Sequence, residues 1–221
     1  MPNYVISPPQ IIGLPIDGTD DLFPVRRVYC IGRNYRAHAA ELNHDVPDSP
    51  FFFQKSIPAL NTSNEIILPD NREIHHELEI VVLIGKDGEK ISASSTDSFI
   101  SGYALGLDLT DRIYQTKLKE AKLPWLLAKS FKGSAVVTSF QSEKIQKDYW
   151  LKVNDEVRQK GNGSQMVFSI PQQISFLSSM IPLISGDLIF TGTPSGVGPI
   201  HSGDSLELGI GEKSIHSLSV K

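Results

Sequence analysis

The sequence predicts an α+β protein that is mainly β, and three observations carry that expectation. Nine of the fourteen prolines fall within residues 1–69, where fixed φ angles and missing N–H donors disfavour helix. From Ile74 onward, branched and aromatic runs separated by Gly, Asp and Ser read as strands. Only three segments combine helical apolar spacing with a capping residue. A length of 221 residues, against about 150 per domain, suggests one domain with an appendage. Residues 1–25 are expected to form an extended Pro-rich arm and residues 26–221 a single domain.

Taken in order, Asn34 is placed to cap a short helix running to Glu41. Glu77 to Ile84 is rich in branched residues and reads as a strand, and Asp87-Gly88 predicts a tight hairpin turn with Ile91–Ala93 as the return strand. Tyr103 to Leu109 is a further strand with Asp108 at its end. Thr110 is expected to cap a second helix, in which Ile113, Tyr114, Lys117 and Leu118 recur at helical spacing. For the third helix, Ser169 stands three residues before Gln172 with Pro171 in the first turn, and Ile170, Ile174, Leu177 and Ile181 follow as a stripe. Ser185-Gly186-Asp187 and Ser202-Gly203-Asp204 each lead into an apolar run, a short echo of turn and strand.

Charge and composition exclude several classes. With 21 Lys and Arg against 25 Asp and Glu, the net charge of −4 is interspersed along the chain, which argues against a nucleic-acid surface. The lone Cys30, within Val28-Tyr29-Cys30-Ile31, cannot form an intrachain disulfide and reads as a buried small hydrophobe. No basic start precedes an unbroken apolar core, so no signal peptide is expected. The uncharged stretch Phe168 to Gly186 contains five serines, two glutamines and two prolines, which argues against a membrane span. A cytoplasmic location is expected.

The sharpest local feature is His75-His76-Glu77-Leu78-Glu79. Strand alternation puts His75, Glu77 and Glu79 on one face and His76 and Leu78 on the other. Two neighbouring carboxylates repel unless protonated or bridged by a cation. With Asp108 they would offer three hard oxygen ligands, suited to Mg²⁺ or Mn²⁺. The competing reading is two exposed glutamates at a strand end and an aspartate in a turn.

His38 and Glu41 share a helical face at i, i+3 spacing. A carboxylate beside an imidazole orients it and raises its basicity, as a water-activating base requires, although a surface hydrogen bond has the same pattern. His44 has no nameable partner. Lys129 lies in the apolar run Leu126-Leu127-Ala128-Lys129-Ser130-Phe131 and either pairs with an anion or snorkels to the surface. Arg112 and Gln115 share a face one turn beyond Asp108 and could hold a carboxylate. The Thr191–Gly198 loop lacks both phosphate-binding glycine signatures, so it is either a close-approach loop presenting Thr193 or a plain turn.

These residues together resemble the fumarylacetoacetate hydrolase family, in its short acylpyruvate-cleaving branch. The matching signatures are Tyr29-Cys30-Ile31-Gly32-Arg33-Asn34-Tyr35 with His38 and Glu41, and His75-His76-Glu77-Leu78-Glu79. Gly102 to Thr110, Pro124-Trp125, Ala128-Lys129-Ser130-Phe131 and Ile189 to Gly198 follow in family order. The resemblance implies a rolled mixed β fold with a few short helices and a homodimer, with residues 26–221 as the catalytic domain. It assigns Glu77, Glu79 and Asp108 as ligands of Mg²⁺ or Mn²⁺, and His38 with Glu41 as a base dyad on a lid. Lys129 is implied as catalytic, and Arg112, Gln115 and Thr193 as holding substrate. Two departures stand out: Phe53-Gln54-Lys55-Ser56 where the family has proline after lysine, and Ile113 where an aspartate is common.

The implied reaction is metal-dependent hydrolysis of an acylpyruvate such as fumarylpyruvate. Oxaloacetate decarboxylation, or isomerisation or hydration of an unsaturated 2-oxo diacid, on the same site remains the alternative. A non-catalytic β module holding a structural ion is the rival from another class. The expected partner is a small anionic 2-oxo acid, with no nucleic acid and no membrane.

Overall fold

The computed structural model describes residues 4–8, 10–43 and 45–221, so His44 lies outside the described residues. Its centre is a seven-stranded mixed sheet, ordered Phe52–Lys55, Arg27–Ile31, Asp187–Phe190, Leu78–Ile84, Ile100–Asp108, Ala135–Val137 and Leu60–Asn61. Two neighbouring pairs are parallel, Asp187–Phe190 beside Arg27–Ile31 and Ala135–Val137 beside Leu60–Asn61. A second sheet of five strands runs Glu156–Gly161, Tyr149–Val153, Ser205–Ile210, Lys213–Val220 and Glu65–Ile66. A small three-stranded sheet ties Thr110–Asp111, Ile74–His76 and Gly198–Pro199 together beside the site. The fold is α+β and mainly β, as the sequence predicts.

The central sheet is buried on both faces, which is why Leu78–Ile84 reads as an unbroken apolar run instead of an alternating one. Ile80, Val82, Leu105 and Leu107 face one core, shared with Tyr149, Leu151, Leu206 and Leu208 of the five-stranded sheet. Val81, Leu83, Cys30 and Phe190 face the other, where Leu14, Val25 and Phe140 cover them. Leu14 belongs to a hairpin of Gly13–Pro15 and Leu22–Pro24, so this stretch of the Pro-rich segment closes a core. Cys30 is fully buried. The Arg27 guanidinium binds Asp187 through Nε at 2.8 Å and Nη2 at 2.6 Å, pinning the parallel pair of strands at one end.

Among the described residues, four α-helices decorate the sheets: α1 (Arg36–Glu41), α2 (Arg112–Glu120), α3 (Leu126–Lys129) and α4 (Ile170–Met180). None is long and apolar enough to cross a membrane. At the start of α4 the Ser169 N–H donates to Gln172 Oε1 at 2.8 Å, as its sequence signature predicts, and Ile170, Ile174 and Leu177 enter the core. The turns before Asp187–Phe190 and Ser205–Ile210 echo each other, with Gly186 and Gly203 both at positive φ.

Four local expectations are corrected. Asn34 does not cap α1: its amide is taken by Thr191 O at 2.8 Å and Phe168 O at 3.0 Å, and the helix begins after Tyr35 without a side-chain cap. Asp111, not Thr110, caps α2 by accepting the Tyr114 N–H, while the Thr110 hydroxyl donates to Asp108 O. Along α2 the buried residues are Gln115 and Leu118, and Ile113 is 51% exposed, because the inward face is polar where it meets the site. Finally, Asp87-Gly88 makes no hairpin: Gly88 exchanges backbone hydrogen bonds with Leu183, a 3₁₀ segment follows at Ala93–Phe99, and the return strand is Ile100–Asp108.

Candidate active site

Three carboxylates meet where the central sheet frays. Leu78–Ile84 pairs antiparallel with Ile100–Asp108, matching Leu78 with Leu107 and Glu79 with Gly106, and the Asp108 N–H donates to Glu77 O at 2.9 Å. That register delivers Asp108 beside Glu77 and Glu79, which share a face as strand alternation requires. One ligand oxygen from each lies within 4.8 Å of the others, and all three residues are buried.

Cations surround this cluster. Lys129 Nζ, on α3, donates to Glu77 Oε2 and Asp108 Oδ2, both at 2.7 Å. Arg112, on α2, bonds Glu77 Oε1 through Nη2 and Gln115 Oε1 through Nη1 at 2.7 Å. Burial alone pushes the Glu77 carboxyl up, but the Lys129 and Arg112 charges outweigh it and hold Glu77 far below the usual carboxylate range. Lys129 is the mirror case: burial pulls its ammonium down, and Asp108 and Glu77 more than restore it. Glu79 goes the other way, driven well up by burial and then by the Asp108 and Glu77 charges. Among the described residues it has no salt bridge, and its Oε2 accepts only the Gly192 N–H at 2.6 Å.

A divalent cation fits this donor set. Three hard oxygens lie close enough for one ion to bridge, on buried groups whose mutual repulsion is centred on Glu79. The residues that would hold it are Glu77, Glu79 and Asp108.

His38 stands on α1, 7% exposed, with Nδ1 3.0 Å from Glu41 Oε2. The other Glu41 oxygen accepts the Gly196 N–H at 2.9 Å. Gly196 has a φ of 96°, and a Cβ there would collide with the Arg158 carbonyl oxygen. His38, Glu77, Glu79, Arg112, Gln115, Lys129 and Thr193 all line one cavity with about 430 Å³ of empty space, its open mouth included. Asp108 lies beneath Lys129, and Glu41 stands behind His38. Every residue singled out for the site is therefore drawn to one place.

Sequence reasoning missed two supporting side chains. Lys55 is fully buried and forms an ion pair with Asp108 Oδ1 at 2.7 Å, while its Nζ donates to Leu109 O, Ser134 O and Lys129 O. The Lys55-Ser56 departure leaves that role intact: the Ser56 N–H is received by Ser130 Oγ at 2.8 Å. Gln159 uses its whole amide: Oε1 accepts the Leu78 N–H at 2.9 Å and His76 Nδ1–H at 2.8 Å, and Nε2 donates to Thr193 Oγ1 at 2.8 Å and Pro194 O at 2.9 Å. The Leu78 N–H can only donate and Pro194 O can only accept, so the amide orientation is unambiguous. His76, on the other face from Glu77, is held neutral by burial, which draws its pKa down to about 4 against the opposing pull of the Gln159 bond.

Comparison with known families now decides the assignment. Residues 27–219 match the family described as fumarylacetoacetate (FAA) hydrolase C-terminal. The chain belongs to this family. Among curated members of similar sequence are the mitochondrial oxaloacetate tautomerase of Mus musculus, 45% identical over 84% of this chain and 87% of its own, and the mitochondrial oxaloacetate decarboxylase of Dictyostelium discoideum, 40% identical over 84% and 88%. Among solved structures, fumarylpyruvate hydrolase from Pseudomonas aeruginosa, crystallised with Mn²⁺ and pyruvate, superposes with a TM-score of 0.93 at 36% identity over 99% of each chain. These relatives are thus a tautomerase, a decarboxylase and a hydrolase; this chain is similar to them in sequence, and to the hydrolase in fold as well.

Proposed function

We propose that this member of the family is a Mg²⁺- or Mn²⁺-dependent enzyme that cleaves a carbon–carbon bond of acylpyruvates, giving pyruvate and a carboxylic acid. The observation that carries the reading is the placement of His38, backed by Glu41, in the same cavity as a buried three-carboxylate cluster. Hydrolytic cleavage must expel a carbanion, which is prohibitively basic unless delocalised as an enolate. A divalent cation held by Glu77, Glu79 and Asp108 supplies the Lewis acidity that the enolate of a 2-oxo acid requires.

The remaining steps fall to the chain's own side chains. His38 Nδ1 is taken by Glu41, so its N–H points there and Nε2 keeps the lone pair that can accept a proton from water. Lys129 spends two of its three N–H donors on Glu77 and Asp108, leaving one for negative charge developing on the substrate. Thr193 Oγ1 accepts from Gln159 and its hydroxyl donates to Pro194 O over 3.4 Å, a long bond that a substrate oxygen can replace. Arg112 and Gln115, already joined, offer a planar polar edge for the carboxylate next to the 2-oxo group.

A second reading, tautomerisation or decarboxylation of oxaloacetate, is favoured by the identity to the mouse and Dictyostelium enzymes. It uses the same enolate and the same base. Product analysis with Mg²⁺ or Mn²⁺ against fumarylpyruvate, acetylpyruvate and oxaloacetate separates the readings. Pyruvate with a released acid is the expected result. Carbon dioxide, or keto–enol interconversion alone, transfers the assignment to the second reading, and inertness towards all three defeats both.

A further inference from the structure

The strand Glu156–Gly161 turns inward the opposite residue from the one its chemistry suggests. It lies at the edge of the five-stranded sheet, where its apolar Val157 is 57% exposed and its polar Gln159 is 1% exposed. Residues two apart on a strand normally share a face. Here Leu151 pairs with Gln159 and Lys152 with Val157, so Arg158 has no partner across the ladder. That bulge separates the two side chains, sending Val157 to solvent and Gln159 inward. A strand that only closed a core would do the reverse, because burying an amide costs free energy unless its hydrogen bonds are all met.

The loop that Gln159 reaches is shaped to receive it. A Cβ on Gly196 would collide with the Arg158 carbonyl oxygen, and one on Gly161 would crowd the Pro194 ring. Thr193 to Gly196 therefore packs directly on the bulged strand. Gln159 Nε2 donates there to Thr193 Oγ1 at 2.8 Å and Pro194 O at 2.9 Å, while Oε1 is occupied by Leu78 and His76. Thr193 lines the cavity that Glu77 and Glu79 also line. Its hydroxyl has one hydrogen and two lone pairs. One lone pair takes the Gln159 N–H, and the hydrogen makes only the 3.4 Å bond to Pro194 O, an oxygen that Gln159 already holds. The hydrogen is the weakly held part of this network, and an oxygen entering the cavity can draw it.

We propose that Gln159 is a positioning residue: it keeps the Thr193 hydroxyl as a donor towards the cavity and so selects a ligand that presents an unprotonated oxygen there, the carboxylate or enolate of a 2-oxo acid. The inference rests on the 2-oxo acid reading above and deepens it. Gln159 acts through Thr193, so its influence on binding should vanish when the hydroxyl is absent.

Oxalate, a planar dianion whose oxygens only accept, is the probe, titrated calorimetrically at saturating Mg²⁺. Gln159→Glu keeps an acceptor for Leu78 and His76, but its carboxylate lacks the N–H and takes the Thr193 hydrogen for itself. Gln159→Glu and Thr193→Val are each expected to weaken oxalate by about ten- to hundredfold, the span of a hydrogen bond to a charged group. Thr193→Ser should bind as wild type does. The double variant Gln159→Glu with Thr193→Val should bind no more weakly than Thr193→Val alone, whereas a general loss of structure would make the two costs add. If Gln159→Glu does not fold, Gln159→Met takes its place in the same cycle. Wild-type affinity in either single variant, or additive costs in the double, overturns the positioning role. Absence of oxalate binding by the wild-type protein overturns it together with the 2-oxo acid reading. A non-additive cycle without turnover of any acylpyruvate or oxaloacetate would instead defeat only the reaction assigned above.

Discussion

Glu41 joins its own helix to a loop 155 residues later: Oε1 accepts the Gly196 N–H at 2.9 Å while Oε2 holds His38 Nδ1 at 3.0 Å. One carboxylate thus sets the imidazole tautomer and docks α1. Glu41→Gln separates the two tasks. Its amide oxygen can still accept from Gly196, but its NH₂ then faces Nδ1 and forces the ring proton onto Nε2, removing the base. Turnover should drop by about 10²-fold or more in Glu41→Gln, with the melting temperature near wild type. Steady-state kinetics beside thermal denaturation checks this, and full turnover would remove the dyad from the mechanism.

Glu79 is the carboxylate most in need of a cation. Groups that merely orient a metal ligand typically change affinity by about 10–100-fold. Glu79→Gln should therefore weaken Mn²⁺ or Mg²⁺ by at least about 100-fold, as read by calorimetric titration. Undiminished affinity would contradict its assignment as a ligand.

Gln159→Leu is expected to destabilise the fold although no charge is lost. It strands the buried Leu78 and His76 N–H groups and releases Thr193. Each unsatisfied buried donor costs about 1–3 kcal/mol, so a loss of about 2–6 kcal/mol is expected in urea unfolding.

Removing Arg27 leaves a fully buried Asp187 whose remaining side-chain partner is the Ile184 N–H. Arg27→Ala should cost about 3–5 kcal/mol by the same measurement. Arg27→Lys should recover part of it, because a single ammonium cannot reproduce the two-pronged bond.

What the sequence could show was set by range. Glu77 and Glu79 were legible because alternation is a two-residue rule, and His38 with Glu41 because helical spacing is nearly as local. The Asp87-Gly88 hairpin failed because Leu183 and Ser185 take those residues' backbone and carboxylate, a partnership about a hundred residues away. Asn34 was misread for the same reason, since its preferred partners, Phe168 and Thr191, are distant in sequence. Gln159 gave no local signal at all: its neighbours Arg158 and Lys160 are exposed, and its importance lies wholly in what Leu78, His76 and Thr193 leave unsatisfied. Lys55 was noticed only for the missing proline after it, although its buried ammonium supports the Asp108 cluster.

The six residues of α1 have no side-chain cap, Asn34 being committed to Phe168 and Thr191. So short a helix lies far below the length at which helices persist in water. The persistence of this helix, and with it the position of the base, therefore rests on tertiary contacts such as the Glu41–Gly196 bond, to which a ligand in the cavity would add. The Ala39 and Leu42 amides, which close the turns around His38, should exchange with solvent early in the free protein and be protected once a ligand is bound.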